Sequence, residues 1–244
     1  MVSTAFYEIL LAGLPQDVRV TRVVRGLSWT AAVLDNGGCG VAMHTAGESV
    51  RRSFATLEGL PVRDAARAAC SWNLEEASEG MAVINACYNT LERMERFGCR
   101  YTDSALEGIP LRGRTVGFVG HMLRKDGSTE AMLQEAKAWY VLEREPKPGD
   151  YPDTACEYIL PKCDLVLITG SAAVNKTMPR LLELTKGAQV ILTGPTVPLC
   201  PDLLELGISR LNGQVITETE PMLKRILEAE TSVNAFSRHY TLDA

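Results

Sequence analysis

Hydroxyl side chains and glycines follow two apolar runs that have nearly the same sequence in the second half of the chain. Residues 164–171 are Asp-Leu-Val-Leu-Ile-Thr-Gly-Ser, and residues 189–196 are Gln-Val-Ile-Leu-Thr-Gly-Pro-Thr. A short, continuous apolar run of this kind is typical of a strand that is buried on both faces of a parallel sheet. Because ligands of open α/β sheets bind just beyond the carboxyl ends of the strands, we predict a binding site here. Its predicted substrate-binding residues are Thr169, Gly170, Ser171, Gly194, Pro195 and Thr196.

A histidine and a glutamate follow two further predicted strands and are candidates for proton transfer. His121 comes directly after Gly117-Phe-Val-Gly120, and Glu143 ends the next strand. A dinucleotide-binding turn has the pattern Gly-x-Gly-x-x-Gly, and only Gly-x-x-Gly is present here, so NAD binding is disfavoured. We predict that Gly120 contacts the substrate. His121 is either a catalytic residue or a structural histidine, and Glu143 is either a ribose-binding carboxylate or a surface glutamate.

The segment Asn175-Lys176-Thr177 lies between the first of the two strand ends and an apolar helix. We expect Thr177 to cap that helix, with Pro179 in its first turn. A capped helix start still presents free N–H groups, so Asn175 and Thr177 are predicted to contact substrate at the same edge. Lys176 either holds an anionic group as a catalytic residue or is an exposed lysine that aids solubility.

Asn85 interrupts the apolar stripe of a predicted long helix, between Met81 and Tyr88. A buried amide costs free energy unless it is hydrogen-bonded. Asn85 is therefore either a core asparagine that holds a loop, which is the favoured interpretation, or a substrate contact on a helix face that lines a cleft between domains.

Metal-ligating residue types are scattered along the chain. His44, His121 and His239 are far apart, and neither Cys-x-x-Cys nor His-x-x-x-His occurs. Cys156 and Cys163 are expected to be small core residues. We therefore predict no dedicated metal site. The absence of a Gly-x-Ser-x-Gly elbow and of a P-loop sets aside hydrolases of the elbow type and P-loop NTPases.

The composition of the 244 residues, with 46% hydrophobic and 23% charged, is typical of a globular protein. A net charge of −5 argues against a nucleic-acid partner, which calls for a clustered basic surface. The sequence has no apolar run of membrane-spanning length and no signal-peptide pattern. Seven cysteines without regular spacing favour a reducing compartment. We expect a cytoplasmic protein with no membrane contact, and leave homo-oligomerisation open.

The first half of the chain is predicted to be α+β. Asp35-Asn36-Gly37-Gly38 separates two β-type runs, and an Asx-Gly pair in this position is a strong hairpin signal. A three-stranded antiparallel meander is therefore expected before the helices. The predicted elements are a helix at 5–14, strands at 18–25, 28–34 and 39–44, and helices at 65–72 and 75–97. Residues 99–112 are interpreted as a connector.

Beyond this connector strands alternate with helices, which predicts a doubly wound, mainly parallel sheet. The predicted strands lie at 115–119, 139–142, 164–169, 189–193 and 214–216, and the helices at 129–138, 177–184, 201–206 and 221–230. The fold class is therefore α/β. A small α+β domain over residues 1–110 is expected to precede a Rossmann-like domain over residues 111–244.

Five segments of the second half, taken in order, resemble one known family. They are Gly117-Phe-Val-Gly-His121, Glu145-Pro with Pro148-Gly-Asp150-Tyr-Pro152, Asp164–Ser171, Val174-Asn-Lys-Thr177 and Gly194-Pro-Thr-Val-Pro198. The chain is similar here to the putative heavy-metal chelation family, formerly catalogued as a domain of unknown function. Residues 80–86 resemble the smaller domain paired with it, whose fold is similar to the enolase N-terminal domain. The resemblance implies a Rossmann-like second domain, a cleft between the domains and a role in metal chelation through a chelator, without enolase activity.

From these observations we expect an enzyme that condenses or hydrolyses a small heterocyclic or siderophore-like chelator in an interdomain cleft. Its candidate catalytic residues are His121, Glu143 and Lys176. Two alternatives stay open. One is a non-enzymatic protein that binds a metal chelate, and the other is a methyltransferase-like transferase whose nucleoside cofactor contacts Glu143. No cofactor is assigned, and the expected partner is a small molecule or a metal chelate.

Overall fold

A computed structural model describes residues 4–45, 50–123, 126–229 and 231–244. The first part of the chain forms one helix and a three-stranded antiparallel sheet, so the predicted meander is confirmed. These elements are α1 (Ala5–Ala12), β1 (Val20–Arg25), β2 (Trp29–Leu34) and β3 (Cys39–Met43). The turn between β2 and β3 contains Gly37 with a φ of 85°, in the left-handed region that glycine occupies without a steric penalty.

The helices that follow are shorter than predicted. The helix expected at 65–72 is α2 (Val62–Ala65), and a 3₁₀ turn at Ala66–Cys70 continues it. The single helix expected at 75–97 is two helices, α3 (Leu74–Tyr88) and α4 (Leu91–Arg96).

Asn89 lies at the break between α3 and α4, and its side chain bonds to the second half of the chain. Its Nδ2 donates to the carbonyls of Val197 at 2.9 Å and Gln214 at 3.1 Å, and its Oδ1 accepts from the Leu199 N–H at 2.8 Å. Thr90 then caps α4, accepting a 3.4 Å hydrogen bond from the N–H of Arg93. Helical periodicity gives no sign of this break because the partners of Asn89 are distant in sequence.

An eight-stranded sheet forms the rest of the molecule. Its strands are β4 (Arg100–Tyr101), β5 (Thr115–Val119), β6 (Ala138–Glu143), β7 (Tyr151–Pro152), β8 (Leu165–Thr169), β9 (Gln189–Thr193), β10 (Ile208–Ile216) and β11 (Ser237–Asp243). The order is β4-β11-β10-β9-β8-β5-β6-β7. From β10 through β9, β8, β5 and β6 to β7, each strand is parallel to the next one in the sheet. Strand β11 is antiparallel to β10 and to β4. The prediction of a mainly parallel sheet is confirmed.

Helices connect these strands, as the alternating pattern predicted. They are α5 (Ser128–Leu133), α6 (Cys156–Ile159), α7 (Ser171–Val174), α8 (Met178–Leu184) and α9 (Thr219–Leu227), with a 3₁₀ helix at Pro201–Leu206. Strands β4, β7 and β11 were not predicted, and β10 begins at Ile208 rather than at residue 214. Two of the missed strands have only two residues, and β11 is rich in polar residues, so apolar periodicity does not reveal them.

The two sheets share hydrophobic contacts. One core cluster joins buried residues of α1 and α3, such as Tyr7 and Met81, to buried residues of the large sheet, such as Val166 and Leu192. Helix α9 covers the small sheet, where its Ile226 belongs to a separate cluster. Within the described ranges, no helix combines the length and apolarity needed to cross a membrane.

Candidate functional site

A cleft of about 920 Å³ lies where the order of the parallel strands reverses, between β5 and β8. In open α/β sheets this reversal leaves a crevice beyond the carboxyl ends of the strands. Nine of the predicted site residues line the cleft, namely Gly120, His121, Glu143, Thr169, Ser171, Asn175, Thr177, Gly194 and Pro195. Met43 of β3 also lines it, and the other described lining residues lie between Val119 and His239. The cleft is thus built mainly by the large sheet.

His121 is held at two points beyond the end of β5. Its backbone N–H donates to Glu143 Oε2 at 2.8 Å, and its Nδ1 lies 3.0 Å from Asp150 Oδ2. The other oxygen of Glu143 accepts the backbone N–H of Arg144 at 2.8 Å. Asp150 is itself fixed, because its Oδ2 also accepts the Lys147 N–H at 3.0 Å. Glu143 therefore positions the main chain of His121, and Asp150 positions its ring.

Gly120 allows the ends of β5 and β8 to approach closely. Its φ of 100° is in the left-handed region, and a Cβ at this position would lie 3.0 Å from Cγ2 of Thr169. A side chain would therefore be strained and would press on the neighbouring strand end.

Two hydroxyls form a polar wall at the end of β8. Thr169 Oγ1 and Ser171 Oγ are 3.1 Å apart, and both residues line the cleft. Gly170 does not line it, contrary to the prediction. A Cβ on Gly170 would lie 2.7 Å from the Thr196 carbonyl carbon and from the Val197 nitrogen, so this glycine permits close packing of two loops.

Asn175 caps the turn before α8, a role that was predicted for Thr177. Asn175 Oδ1 accepts the backbone N–H of Thr177 at 3.1 Å and its hydroxyl at 2.6 Å. The Thr177 side chain makes no capping hydrogen bond to α8. The predicted Pro179 is in the first turn of this helix, and Asn175 and Thr177 both face the cleft.

Lys176 points away from the cleft, so its placement differs from the prediction of an anion-binding cation. Its Nζ donates to the carbonyl of Ala69 and lies 5.3 Å from the ring centroid of Tyr7. Burial lowers the pKa of Lys176 to about 8. Its φ of 70° is in the left-handed region, an unusual conformation for lysine. The side chain anchors the α7–α8 turn to the first part of the chain.

Thr196 and Asn85 also lie outside the cleft lining. Thr196 Oγ1 accepts the backbone N–H of Met43 at 2.9 Å, which ties the Gly194–Thr196 loop to the small sheet. Asn85 Nδ2 donates to the Val41 carbonyl at 2.7 Å and to the Pro195 carbonyl at 3.4 Å. The interpretation of Asn85 as a core residue that holds a loop is the one the contacts support, although its buried Oδ1 has no hydrogen-bond partner among the described residues.

The structure brings to the cleft several polar residues whose roles were not predicted from the sequence. Asp150 belongs to a segment that resembles the family, but its loop has no periodicity that would indicate a role. The cleft is also lined by three neutral side chains of β10 and of the segment after α9, namely Asn212, Gln214 and Asn234, and by His239. Their strands β10 and β11 were only partly predicted, so no sequence signal placed them there.

Two ion pairs lie at the rim of the cleft. Arg180 contacts Glu157 at 2.6 Å, and Arg144 lies 3.5 Å from Asp153. Each arginine is thus already paired with a carboxylate, and its charge is largely compensated before any ligand binds.

The donors of the cleft do not fit a metal ion held by protein side chains alone. Across the described ranges, no group of three or more histidine, cysteine or carboxylate side chains is arranged to hold one. His121 uses Nδ1 for Asp150, and His239 Nε2 lies 3.0 Å from the amide nitrogen of Gln214. His44 Nδ1 lies 3.2 Å from Thr30 Oγ1. The donors suit polar organic groups better, because most of them are hydroxyls, amides and the two imidazoles of His121 and His239.

Comparison with known proteins places this architecture in a family. The model of a domain described as "Putative heavy-metal chelation" matches residues 108–242, and a second model with the same description matches residues 7–88. An uncharacterised protein of Methanocaldococcus jannaschii is 29% identical over 183 residues, which are 71% of this chain and 68% of that protein.

Two solved structures share the fold over nearly the whole chain. A protein with unknown function from Desulfitobacterium hafniense is 33% identical with a TM-score of 0.87, covering 98% of both chains. A protein with unknown function from Pyrococcus horikoshii is 25% identical with a TM-score of 0.80, covering 97% of both chains. Since a family model spans more than half of its length, this chain belongs to the "Putative heavy-metal chelation" family.

Proposed function

We propose that the cleft binds a small organic metal chelator, free or complexed with its metal ion, and that His121 transfers a proton during hydrolysis or condensation of that molecule. The observation that carries this proposal is the His121–Asp150 pair at the carboxyl edge of the sheet. An imidazole oriented by a fixed carboxylate is a common arrangement for general acid–base catalysis.

The hydrogen bonds of Asp150 determine which nitrogen of His121 carries the proton. An ionised carboxylate only accepts hydrogen bonds, so Nδ1 donates to Asp150, and in the neutral imidazole Nε2 then keeps its lone pair. Among the described residues none is hydrogen-bonded to Nε2, and His121 lines the cleft. Within the described part of the chain, Nε2 is therefore available to a bound molecule.

This geometry supports a hydrolytic step in which the proton is conserved. Nε2 takes a proton from water, the water oxygen attacks the carbonyl carbon of an amide in the chelator, and the imidazolium returns the proton to the nitrogen as the C–N bond breaks. Condensation is the reverse sequence. The hydroxyls of Thr169 and Ser171 and the amide of Asn175 would orient the polar groups of the chelator.

In this proposal the metal ion is cargo that arrives with its chelator. Heavy-metal chelation is the description of the family, and the side-chain donors of the described cleft residues do not form a metal site of their own. A chelate brings its own donor atoms, so the protein needs only to bind polar groups on its surface.

The alternative function is a protein that binds a metal chelate without changing it. The same cleft serves both functions, and they differ in whether His121 acts on the ligand. The nucleoside-cofactor alternative has less support, because both oxygens of Glu143 are engaged by backbone N–H groups of His121 and Arg144.

We also propose finer assignments for the fold and the location. The parallel strands have the order β7-β6-β5-β8-β9-β10, which corresponds to 3-2-1-4-5-6, and this order supports a Rossmann-like second domain. A three-stranded meander followed by helices supports an enolase N-terminal-like first domain, with a boundary near residue 110. Seven free cysteines support a cytoplasmic location. We make no proposal for the oligomeric state.

The test begins with native mass spectrometry of freshly purified protein and identification of any molecule that denaturation releases. That molecule is then incubated with the wild type, with His121→Gln and with the control Glu145→Gln, an exposed residue outside the cleft lining. We expect turnover by the wild type and the control, and a loss of roughly a hundredfold in His121→Gln. Tight binding without turnover would reject catalysis and establish the binding protein.

A further inference from the structure

A second cavity of about 230 Å³ adjoins the cleft, and we call it the side chamber. The side chamber and the cleft share Met122, Thr193, Asn212, Asn234 and His239 in their linings. Its volume equals that of roughly eight water molecules, so it has room for a ring-sized group. The chemistry proposed for His121 makes no use of it, because His121 lines only the larger cavity.

Asn212 presents a donor beside an acceptor at the junction of the two cavities. Its Oδ1 accepts from Thr193 Oγ1 at 2.9 Å, and its Nδ2 donates to Thr241 Oγ1 at 2.9 Å. A primary amide has two N–H groups and two carbonyl lone pairs, so one of each remains. Asn212 is only 4% exposed, and buried polar groups are ordinarily hydrogen-bonded. The remaining N–H and lone pair therefore call for a partner from within the cavities.

Asn234 is a second neutral amide of the side chamber, and a hydrogen bond holds it in place. Gln214 Nε2 donates to Asn234 Oδ1 at 2.9 Å, and Gln214 Oε1 accepts from Ser237 Oγ at 2.9 Å. Asn234 lines both cavities, and Gln214 lines the cleft. This network fixes the amides before a ligand binds, which lowers the entropic cost of binding.

The charge of the lining argues against an anionic group. No lysine or arginine is among the described residues that line the side chamber, and the carboxylate of Asp103 lies at its exposed rim. Burying a carboxylate or phosphate without a compensating cation is costly. Phe118 and Leu167 add apolar surface, so the chamber suits a group with an apolar body and a neutral polar edge.

We infer that the side chamber is a recognition subsite for a neutral carboxamide or lactam group. Such a group carries a carbonyl oxygen next to an N–H, and these complement the remaining N–H and lone pair of Asn212. The subsite rests on the proposed function in one respect only, since we take this group to be one end of the molecule that His121 acts on. Asn212 is thus a specificity-determining residue for the ligand of the cleft.

The test uses 2-pyrrolidinone as the probe. N-methyl-2-pyrrolidinone is the control that lacks the N–H donor, and propionate is the control that carries a negative charge. In NMR titrations of the wild type, we expect 2-pyrrolidinone to shift the side-chain amide resonances of Asn212. The N-methyl compound and propionate should bind at least fivefold more weakly, the loss expected of one hydrogen bond. Asn212→Asp should weaken lactam binding by a similar factor, because it removes the amide donor.

His121→Gln separates this subsite from the proposed chemistry. It leaves the side chamber intact, so it should bind 2-pyrrolidinone as the wild type does even if no turnover is ever found. Unshifted Asn212 resonances in the wild type, equal binding of the N-methyl compound, or tighter binding of propionate would each overturn the subsite.

Discussion

At the scale of single residues, the main chain fixes the groups that face the cleft. The N–H of His121 is bound by Glu143, and the carboxylate of Asp150 is bound by the N–H of Lys147. The His121–Asp150 pair is therefore held through two main-chain N–H groups, one bonded to the Glu143 carboxylate and one to the Asp150 carboxylate. An imidazole and a carboxylate that are held in this way need little reorganisation when a ligand binds.

Asp150→Asn is expected to change the tautomer of His121. The carboxylate accepts the proton of Nδ1, whereas an asparagine amide also offers N–H groups, so a protonated Nδ1 is no longer enforced. The ¹⁵N chemical shifts of the His121 ring measure this directly and need no ligand. Asp153→Asn is the matched control, because Asp153 pairs with Arg144 at the rim. Identical ring shifts in wild type and Asp150→Asn would contradict the assigned role.

Lys176 is expected to make stability rise with pH above about pH 8. Burial lowers its pKa in the folded protein to about 8, whereas an unfolded lysine keeps a pKa near its ordinary value of 10.5. Between these values the unfolded state binds more protons, so the free energy of unfolding increases with pH. Lys176→Met removes the titrating group but keeps the backbone.

Urea unfolding at about pH 7 and about pH 10 measures this difference for the wild type and Lys176→Met. From the lower to the higher pH, the free energy of unfolding of the wild type should increase by on the order of 2 kcal/mol relative to that of the variant. A difference that does not change with pH would show that the lysine is not buried as described.

At the scale of elements, close contact between strand ends gives the cleft its shape. Gly120→Ala is expected to cost about 2 kcal/mol, roughly twice the cost of Gly113→Ala. Both glycines have a positive φ, but a Cβ on Gly113 meets nothing within 4 Å, whereas one on Gly120 meets Thr169 at 3.0 Å. Chemical denaturation of both variants measures the loss in free energy of unfolding, and the difference between the two losses gives the cost of the contact with Thr169. Equal costs would argue against close packing of β5 and β8.

The connection between α3 and the large sheet depends on the amide of Asn89. Asn89→Ala removes three hydrogen bonds with buried main-chain groups, and we expect a loss of about 3 kcal/mol. Thr90→Ala, at the next residue, removes one capping bond and should cost about 1 kcal/mol. Thermal or urea unfolding measures both, and a reversed ranking would contradict this role for Asn89.

The parts of the fold that depend on local sequence were predictable. Strands β5, β8 and β9 are buried on both faces, so their apolar runs identify them. The ends of the runs of β8 and β9 then predict the positions of Thr169 and Gly194 at the edge of the sheet. Strand β11 is predictable only from its neighbours, because its polar residues pair with β10 and β4 at the edge of the sheet. The same holds for Asp150 and Asn212, whose roles come from contacts between distant segments.

At the scale of the whole molecule, the proposed function makes the cleft a site for organic groups, so bare metal ions are not expected to stabilise the protein through it. In thermal-shift measurements, Ni²⁺, Cu²⁺ and Zn²⁺ alone should give the same shift for the wild type and His121→Gln. The chelate released from the purified protein should raise the melting temperature with its concentration, since it binds only the folded state. A shift by a bare ion that is lost in His121→Gln would favour direct coordination.

The cover of the small sheet comes from the far end of the chain. Met222 and Ile226 of α9 pack with Trp29 and Val41, and the Trp29 indole N–H donates to the carbonyl of Thr231, 202 residues later in sequence. During synthesis the meander emerges from the ribosome long before this helix exists. Its apolar face stays open to other chains until translation reaches α9, so a chaperone that shields Trp29 would protect the nascent protein during this interval.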